Sequence, residues 1–338
     1  MANEVKINCY TIKLRTRRTK TTESQYLSLD TVKILNDNNE NTDHDFIDFF
    51  ARFIHHFDQQ FAGVKGKDTA IYISLNDVNI AVESRIISGF VKGGKTGTGR
   101  SVVDYSNPED EIFRITPDHV DAIDFYFLIW LPQNSNTGLL MVQGLSTQSV
   151  SDTFCKVFKH FCAGVVRGQV LEIDRFVPRK TVEQMKEEGN IDKIVLRRNN
   201  LAPDRANSML GVEFITNDVN VELRITGLKD STRRIKQFLD EGFRGLVDDF
   251  ALGEPRFFTT PILEEVGMDG NHDVAVEYEF NGKKATAKQS KGFELAPFYY
   301  VDEDSIERNP LTNLPTRDSI KQYCLSFFQV IRDEMIPE

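Results

Sequence analysis

The sequence predicts an α+β protein of two domains, mostly antiparallel sheets with packed helices. Three observations predict it. Residues 123–144, IDFYFLIWLPQNSNTGLLMVQG, hold two apolar runs around a short polar turn, which is the pattern of a hairpin. Phenylalanines recur at helical spacing in two places, over 46–61 and 154–161. Residues 274–280 and 283–287 flank Asn281-Gly282, a pair that favours the type I′ hairpin turn. A chain of 338 residues can bury a sizeable core. The expected domains cover 1–175, with the 123–144 hairpin at its centre, and 176–338.

In chain order, residues 5–14 alternate well enough to be a strand, and the basic run 13–20 leaves it. Residues 25–35 read as a strand or a short helix, and 36–45 (NDNNENTDHD) as a polar loop without packing residues. From Asp45 the period becomes helical. Phe46, Phe49, Phe50, Phe53, Phe57 and Phe61 share one face, and Gly63 marks the end. Residues 70–75 and 78–82 read as two strands joined at Asn76-Asp77, with a third over 85–91. The glycine-rich stretch 93–101 reads as a flexible hairpin loop, 106–111 as a polar connection and 112–115 as a short apolar segment.

The run 125–131 does not alternate, so both its faces are expected to be covered, and Pro132 ends it. Ser149, Ser151 or Asp152 can cap the next helix, with Phe154, Val157, Phe158 and Phe161 on its apolar stripe. Residues 165–177 read as a strand broken at Gly168, 182–188 as a short polar helix and 197–208 as a polar loop. Further on, 211–217 and 219–226 read as paired strands, and a helix runs from Asp230 or Ser231 to about 246 or 250. An amphipathic helix over 316–331 closes the pattern.

Bulk properties exclude several classes. No apolar run approaches the ~18 residues of a membrane span, and the first ten residues lack the apolar segment of a signal peptide. Cys9, Cys155, Cys162 and Cys324 have no CxxC spacing, so buried free thiols in a reducing cytoplasm are expected, with no metal and no cofactor. The net charge of −10 argues against general affinity for nucleic acid or an acidic membrane. The cations nevertheless cluster. Lys13, Arg15, Arg17, Arg18 and Lys20 form one group, Lys92, Lys95 and Arg100 a second, and Lys229, Arg233, Arg234 and Lys236 a third at a helix N-terminus.

Residues 89–96, GFVKGGKT, match the phosphate-loop string GxxxxGK[ST], in which backbone amides cradle phosphate, the lysine neutralises it and the hydroxyl holds magnesium. Gly97 and Gly99 follow where a helix should start, so a mobile basic loop that meets nucleic-acid phosphates explains the string better than a nucleotide site. Glu277 and Glu279, with Lys283 and Lys284 beyond the turn, read as surface charge pairing across a hairpin. The six histidines have no ligand spacing, and neither GxSxG nor HExxH occurs.

The short first strand, the Phe-rich helix, the run FYFLIWLP (125–132), the segment GLLMVQ (138–143) and the helix after it resemble a pattern in bacterial phage-defence proteins of the RexA-like and Kiwa B-like kind. The resemblance covers the first half and rests on hydrophobic strands. It implies a non-enzymatic, sequence-independent DNA binder and transfers no functional residue. The resulting expectation is a nucleic-acid-binding protein of an antiphage system, touching DNA or RNA phosphates through Lys13, Arg15, Arg17, Arg18, Lys92, Lys95, Arg100, Arg233 and Arg234. Two alternatives stand beside it. One is a protein–protein adaptor of a defence or toxin complex, and the other a nucleotide hydrolase using Lys95 and Thr96. A partner protein and self-association are both open.

Overall fold

The computed structural model describes residues 4–17, 26–35, 41–57, 60–166, 168–176, 189–201, 219–226, 273–280, 283–288 and 299–335. The chain forms two compact units, Met1–Phe176 with Phe298–Glu338, and Val177–Pro297. The first unit opens with β1 (Val5–Thr16), β2 (Tyr26–Leu27) and a small hairpin of β3 (Thr31–Leu35) and β4 (Asn41–Asp45). Helix α1 (Phe46–His55) follows at once because Asp45 caps it, its carboxylate accepting from the Ile47 N–H at 2.8 Å. Then come β5 (Ala62–Gly63), β6 (Thr69–Ala81), β7 (Ile86–Thr96), β8 (Ser101–Val103), β9 (Glu111–Arg114), β10 (Val120–Trp130), β11 (Thr137–Leu145), α2 (Ser151–Val165) and β12 (Gln169–Arg175).

The second unit contains the antiparallel sheet β14-β13-β15-β16, formed by β13 (Asn190–Leu201), β14 (Val219–Ile225), β15 (Asp273–Phe280) and β16 (Lys283–Lys288). Its buried side chains include Ile194, Leu196, Val274, Val276 and Tyr278. The chain then returns to the first unit with β17 (Tyr299–Tyr300) and α3 (Arg317–Met335).

The first unit is organised on one antiparallel sheet in the order β12-β1-β11-β10-β7-β6-β5, with β17 and β2 also pairing with β1. Successive side chains of a strand point to opposite faces. In β10, Phe127 meets Phe50 of α1 and Phe154 of α2, whereas Trp130 meets Phe328 of α3. Helices α1 and α2 therefore cover one face and α3 the other. This explains why residues 125–131 are apolar without alternation: all are buried. Phe50, Phe53, Phe158 and Phe161 interlock between α1 and α2, with ring centroids 4.7–5.5 Å apart. On the other face Ile320, Cys324, Phe328 and Ile331 of α3 recur at helical spacing and are buried. Arg317 fixes the start of α3. It reaches Asp124 at 2.6 Å and Asp77 at 2.8 Å, and lies 4.5 Å over the Phe90 ring.

Several expected elements change. Helix α1 ends at His55, so Phe57 and Phe61 lie beyond it, where each ring meets Tyr72 of β6. The polar loop expected over 36–45 contains strand β4, held by β3. The two strands expected over 70–82 are one, β6, whose register with β7 shifts between Ile73 and Val78. The loop expected over 197–208 begins as the end of β13. The expected 176–338 domain included the last helix, yet Tyr299–Tyr300 pairs with β1 and α3 packs on β10. The hairpin 123–144, the helix after it, the 274–287 hairpin and the final helix are present as β10–β11, α2, β15–β16 and α3. The elements expected over 182–188, 211–217 and 230–250 lie outside the described residues.

Candidate functional site

Of the glycine-rich stretch 93–101, expected as a hairpin loop, only 97–100 lies outside a strand, and the phosphate-loop string 89–96 is not a loop. It is most of strand β7, a ladder partner of β6 on one side and β10 on the other. A phosphate loop needs unengaged amides at the start of a helix. Here Gly93 pairs with Ile71 and Ile123, Gly94 pairs with Ala70 and Ala122, and no helix follows. The glycines serve close approach instead. A Cβ at Gly93 would sit 2.9 Å from the Ala70 carbonyl oxygen, and one at Gly94 would overlap the Asp121 carbonyl. Conformational freedom is used only afterwards, at Gly97 (φ 54°) and Gly99 (φ 64°), where β7 turns into the next ribbon. The nucleotide-hydrolase reading of Lys95 and Thr96 and the mobile-loop reading both fail on this geometry.

The first two basic groups do not converge among the described residues. Lys13 and Arg15 share one face of β1 at its C-terminal end. Lys13 lies 4.8 Å over the Tyr26 ring, and Arg15 pairs with Glu172. Burial would raise the Glu172 carboxyl, but its hydrogen bonds with Arg15 and Tyr26 prevail and hold it below the usual range. Arg17 is exposed just beyond, its backbone N–H bonded to Gly168 O at 2.8 Å.

The second group sits at the opposite end of the sheet. Lys13 pairs with Thr137 and Lys92 with Asp124, in a register where Trp130 faces Leu139. That offset is eight residues, or about 25 Å along the strands. Lys92 and Lys95 point to opposite faces of β7 because they are an odd number of residues apart. Lys95 faces Asp121 across the ladder, and Arg100 approaches the same carboxylate at 3.7 Å. Arg18, Arg233 and Arg234 lie outside the described residues.

The feature that stands out is the β8–β9 ribbon, an extension of the β7–β10 hairpin beyond the part covered by helices. It is tied to the sheet by Ile115 N–H to Arg100 O at 2.8 Å and by Gly97 N–H to His119 O at 3.2 Å. Val102 pairs with Phe113 on one face, and Phe113 lies against the His119 ring at 4.9 Å. On the other face Glu111 bonds both Ser101 and Arg114, which hold its carboxyl below the usual range, Arg114 foremost. Ile112 occupies the irregular step between the two registered pairs. Among the described residues no helix covers either face. Ile112 is 66% exposed, Val102, Val103 and Phe113 are each 44–47% exposed, and Tyr105 is fully exposed. Among the described residues these are half of the exposed large apolar side chains, gathered in a dozen residues.

The sequence reading treated 106–111 as a connection and 112–115 as a fragment. The signal it passed over is the pairing of SVV with EIFR across the turn DYSNPED. All four cysteines are buried and free, and burial pushes the Cys155 thiol up to about 12, which removes it as a nucleophile near neutral pH. Among the described residues no group of three or more His, Cys, Asp or Glu could hold a metal, and no helix is long and apolar enough to cross a membrane. Glu277 meets Lys193 of β13 at 2.8 Å, and Glu279 stands opposite Lys284 in the 274–287 hairpin. No protein-family model matches the chain, and no curated protein matches it.

Proposed function

We propose that this chain is a non-enzymatic binding protein that docks another protein through the β8–β9 ribbon. The observation that carries this reading is the solvent-facing group Val102, Val103, Tyr105, Ile112 and Phe113. Fully burying a Val, Ile or Phe side chain stabilises by about 1.5–3 kcal/mol, and the ribbon's own fold buries only about half of Val102, Val103 and Phe113 and less of Ile112. A photo-crosslinking side chain at Phe113, with one at the exposed Gln322 of α3 as control, tests it in cells. Protein adducts from position 113 and few from 322 are expected. Equal adducts from both, or nucleic-acid adducts from 113, reject the reading.

Nucleic-acid binding at one corner of the sheet is the second reading. Lys13, Arg15 and Arg17 follow one another at the end of β1, and Lys13 and Arg17 have no ion pair among the described residues. Three phosphate contacts would give a slope of log affinity against log salt of about −2.7 on duplex DNA. An unchanged affinity in the triple Lys13→Ala, Arg15→Ala, Arg17→Ala variant rejects it. The antiphage setting implied by the RexA-like and Kiwa B-like resemblance is common to both readings. Unaltered phage plating on expression would remove that setting.

A further inference from the structure

We infer that the partner of the ribbon is a protein surface that sets an apolar cleft beside lysines or arginines, and that it is not a second copy of this chain. The inference rests on the ribbon being a docking element and adds the chemistry of what it docks. Residues 100–114 contain Asp104, Glu109, Asp110 and Glu111 against only Arg100 and Arg114. Both arginines are already engaged. Arg114 reaches Glu111 at 2.6 Å, and Arg100 reaches Asp121 of β10. What remains is the carboxylates of the tip, beside the apolar stripe.

The tip is shaped as well as charged. The Asp104 side chain accepts from the backbone N–H of Ser106 at 2.7 Å and of Asn107 at 3.3 Å. Asn107 in turn donates to the Asp110 carboxylate at 3.3 Å. The Ser106 hydroxyl and these backbone bonds hold the Asp104 carboxyl below its usual range, so Asp104 stays ionised into mildly acid solution. Apolar side chains and carboxylates thus sit on one preformed ribbon, which limits the entropy lost on docking.

Charge decides between occupants. Phosphates of a nucleic acid would meet the same sign of charge at the tip. A second copy brings a net charge of −10, so its surface as a whole repeats the sign of the tip, and four of its arginines are held by its own carboxylates: Arg15 by Glu172, Arg85 by Asp30 and Asp45, Arg308 by Glu303, and Arg317 by Asp77 and Asp124. A cationic, apolar protein surface satisfies both halves of the ribbon at once.

The test is a displayed library of random twelve-residue peptides selected on the full-length protein. The best peptide is then synthesised and titrated by fluorescence anisotropy. Peptides combining Lys or Arg with Leu, Phe or Trp are expected. Val102→Ser/Phe113→Ser should weaken the chosen peptide at least about tenfold, the loss typical of a central apolar anchor. Glu109→Gln/Asp110→Asn, which keeps the tip's shape and removes two of its charges, should weaken it by a similar factor and flatten its salt dependence.

Ribbon-dependent peptides that are neutral or acidic would overturn the inference while leaving the docking reading intact. Peptides that bind the Val102→Ser/Phe113→Ser protein as well as the native one would overturn the docking reading itself. A dimer in sedimentation that dissolves on the same substitutions, or a ribbon-dependent shift of a 20-base-pair duplex, would also overturn the inference. All four positions are solvent-facing, so the core is untouched, and an unchanged thermal melt verifies this.

Discussion

The β7–β10 hairpin lives in two environments. Its middle, with Val91, Phe125 and Phe127, is enclosed between the sheet's two helix layers. Its extension, with Val102, Ile112 and Phe113, uses the same residue types and faces water. Both halves are antiparallel pairs of strand-forming residues, but β7 and β10 have further strands beside them and helices over them, whereas β8 and β9 pair only with each other and lie beyond α1, α2 and α3. An apolar side chain reports the packing around it only when something lies above the strand to pack with.

The sharpest way to strain this contrast is to remove equivalent rings from the two regions. Phe53→Ala deletes a fully buried ring that touches Phe50, Phe57, Phe154, Phe158 and Phe161, and should lower stability by about 3–5 kcal/mol. Urea denaturation measures it, and a loss under about 1 kcal/mol would mean the aromatic layer is not the core. Next in size is Gly94→Ala. The added methyl would strike the Asp121 carbonyl, and the strained pairing should cost about 1–3 kcal/mol. Hydrogen exchange should rise in β7 and β10 around Gly94. A neutral effect would argue that residues 89–96 are the loose loop that the sequence suggested.

Alkaline pH probes the covered half alone. Burial pushes the Cys155 thiol and the Tyr126 hydroxyl each up to about 12 from ordinary values of 9.0 and 10.0. A proton held more tightly in the folded state stabilises fully below the unfolded value and stops doing so as pH rises through the folded one. The melting temperature should therefore hold to about pH 9 and fall progressively towards pH 12, with phenolate absorbance appearing together with unfolding. Phenolate formation by Tyr126 near pH 10 in the folded protein would contradict its burial. The smallest effect belongs to the ribbon. Phe113→Ala should change stability by no more than about 0.5 kcal/mol. A larger loss would show that the ribbon is part of the fold instead of an appendage for a partner.

Much of the fold was legible. The 125–131 run, ended by Pro132, read as a strand covered on both faces and is one, and Asn281-Gly282 marked where β15 and β16 join. The end of α1 was not legible, because Phe57 and Phe61 continue the helical period while packing, outside the helix, on Tyr72. Glycine is ambiguous in the same way. Gly93 and Gly94 satisfy a phosphate-loop string, but their neighbours are strand carbonyls, and a string does not contain its neighbours. The first two basic clusters lie apart for a geometric reason: Lys92 and Lys95 point to opposite faces, and the two groups fell at opposite ends of one sheet.

By itself the sequence determined the local elements, since turn chemistry, capping residues and hydrophobic period act over a few residues and leave their mark in order along the chain. Only the tertiary structure decided which apolar side chains are inside, which carboxylate each arginine meets, and that the last helix closes over the first sheet. Those outcomes depend on the register and layering of strands up to three hundred residues apart, where burial and ion pairing are set by neighbours in space.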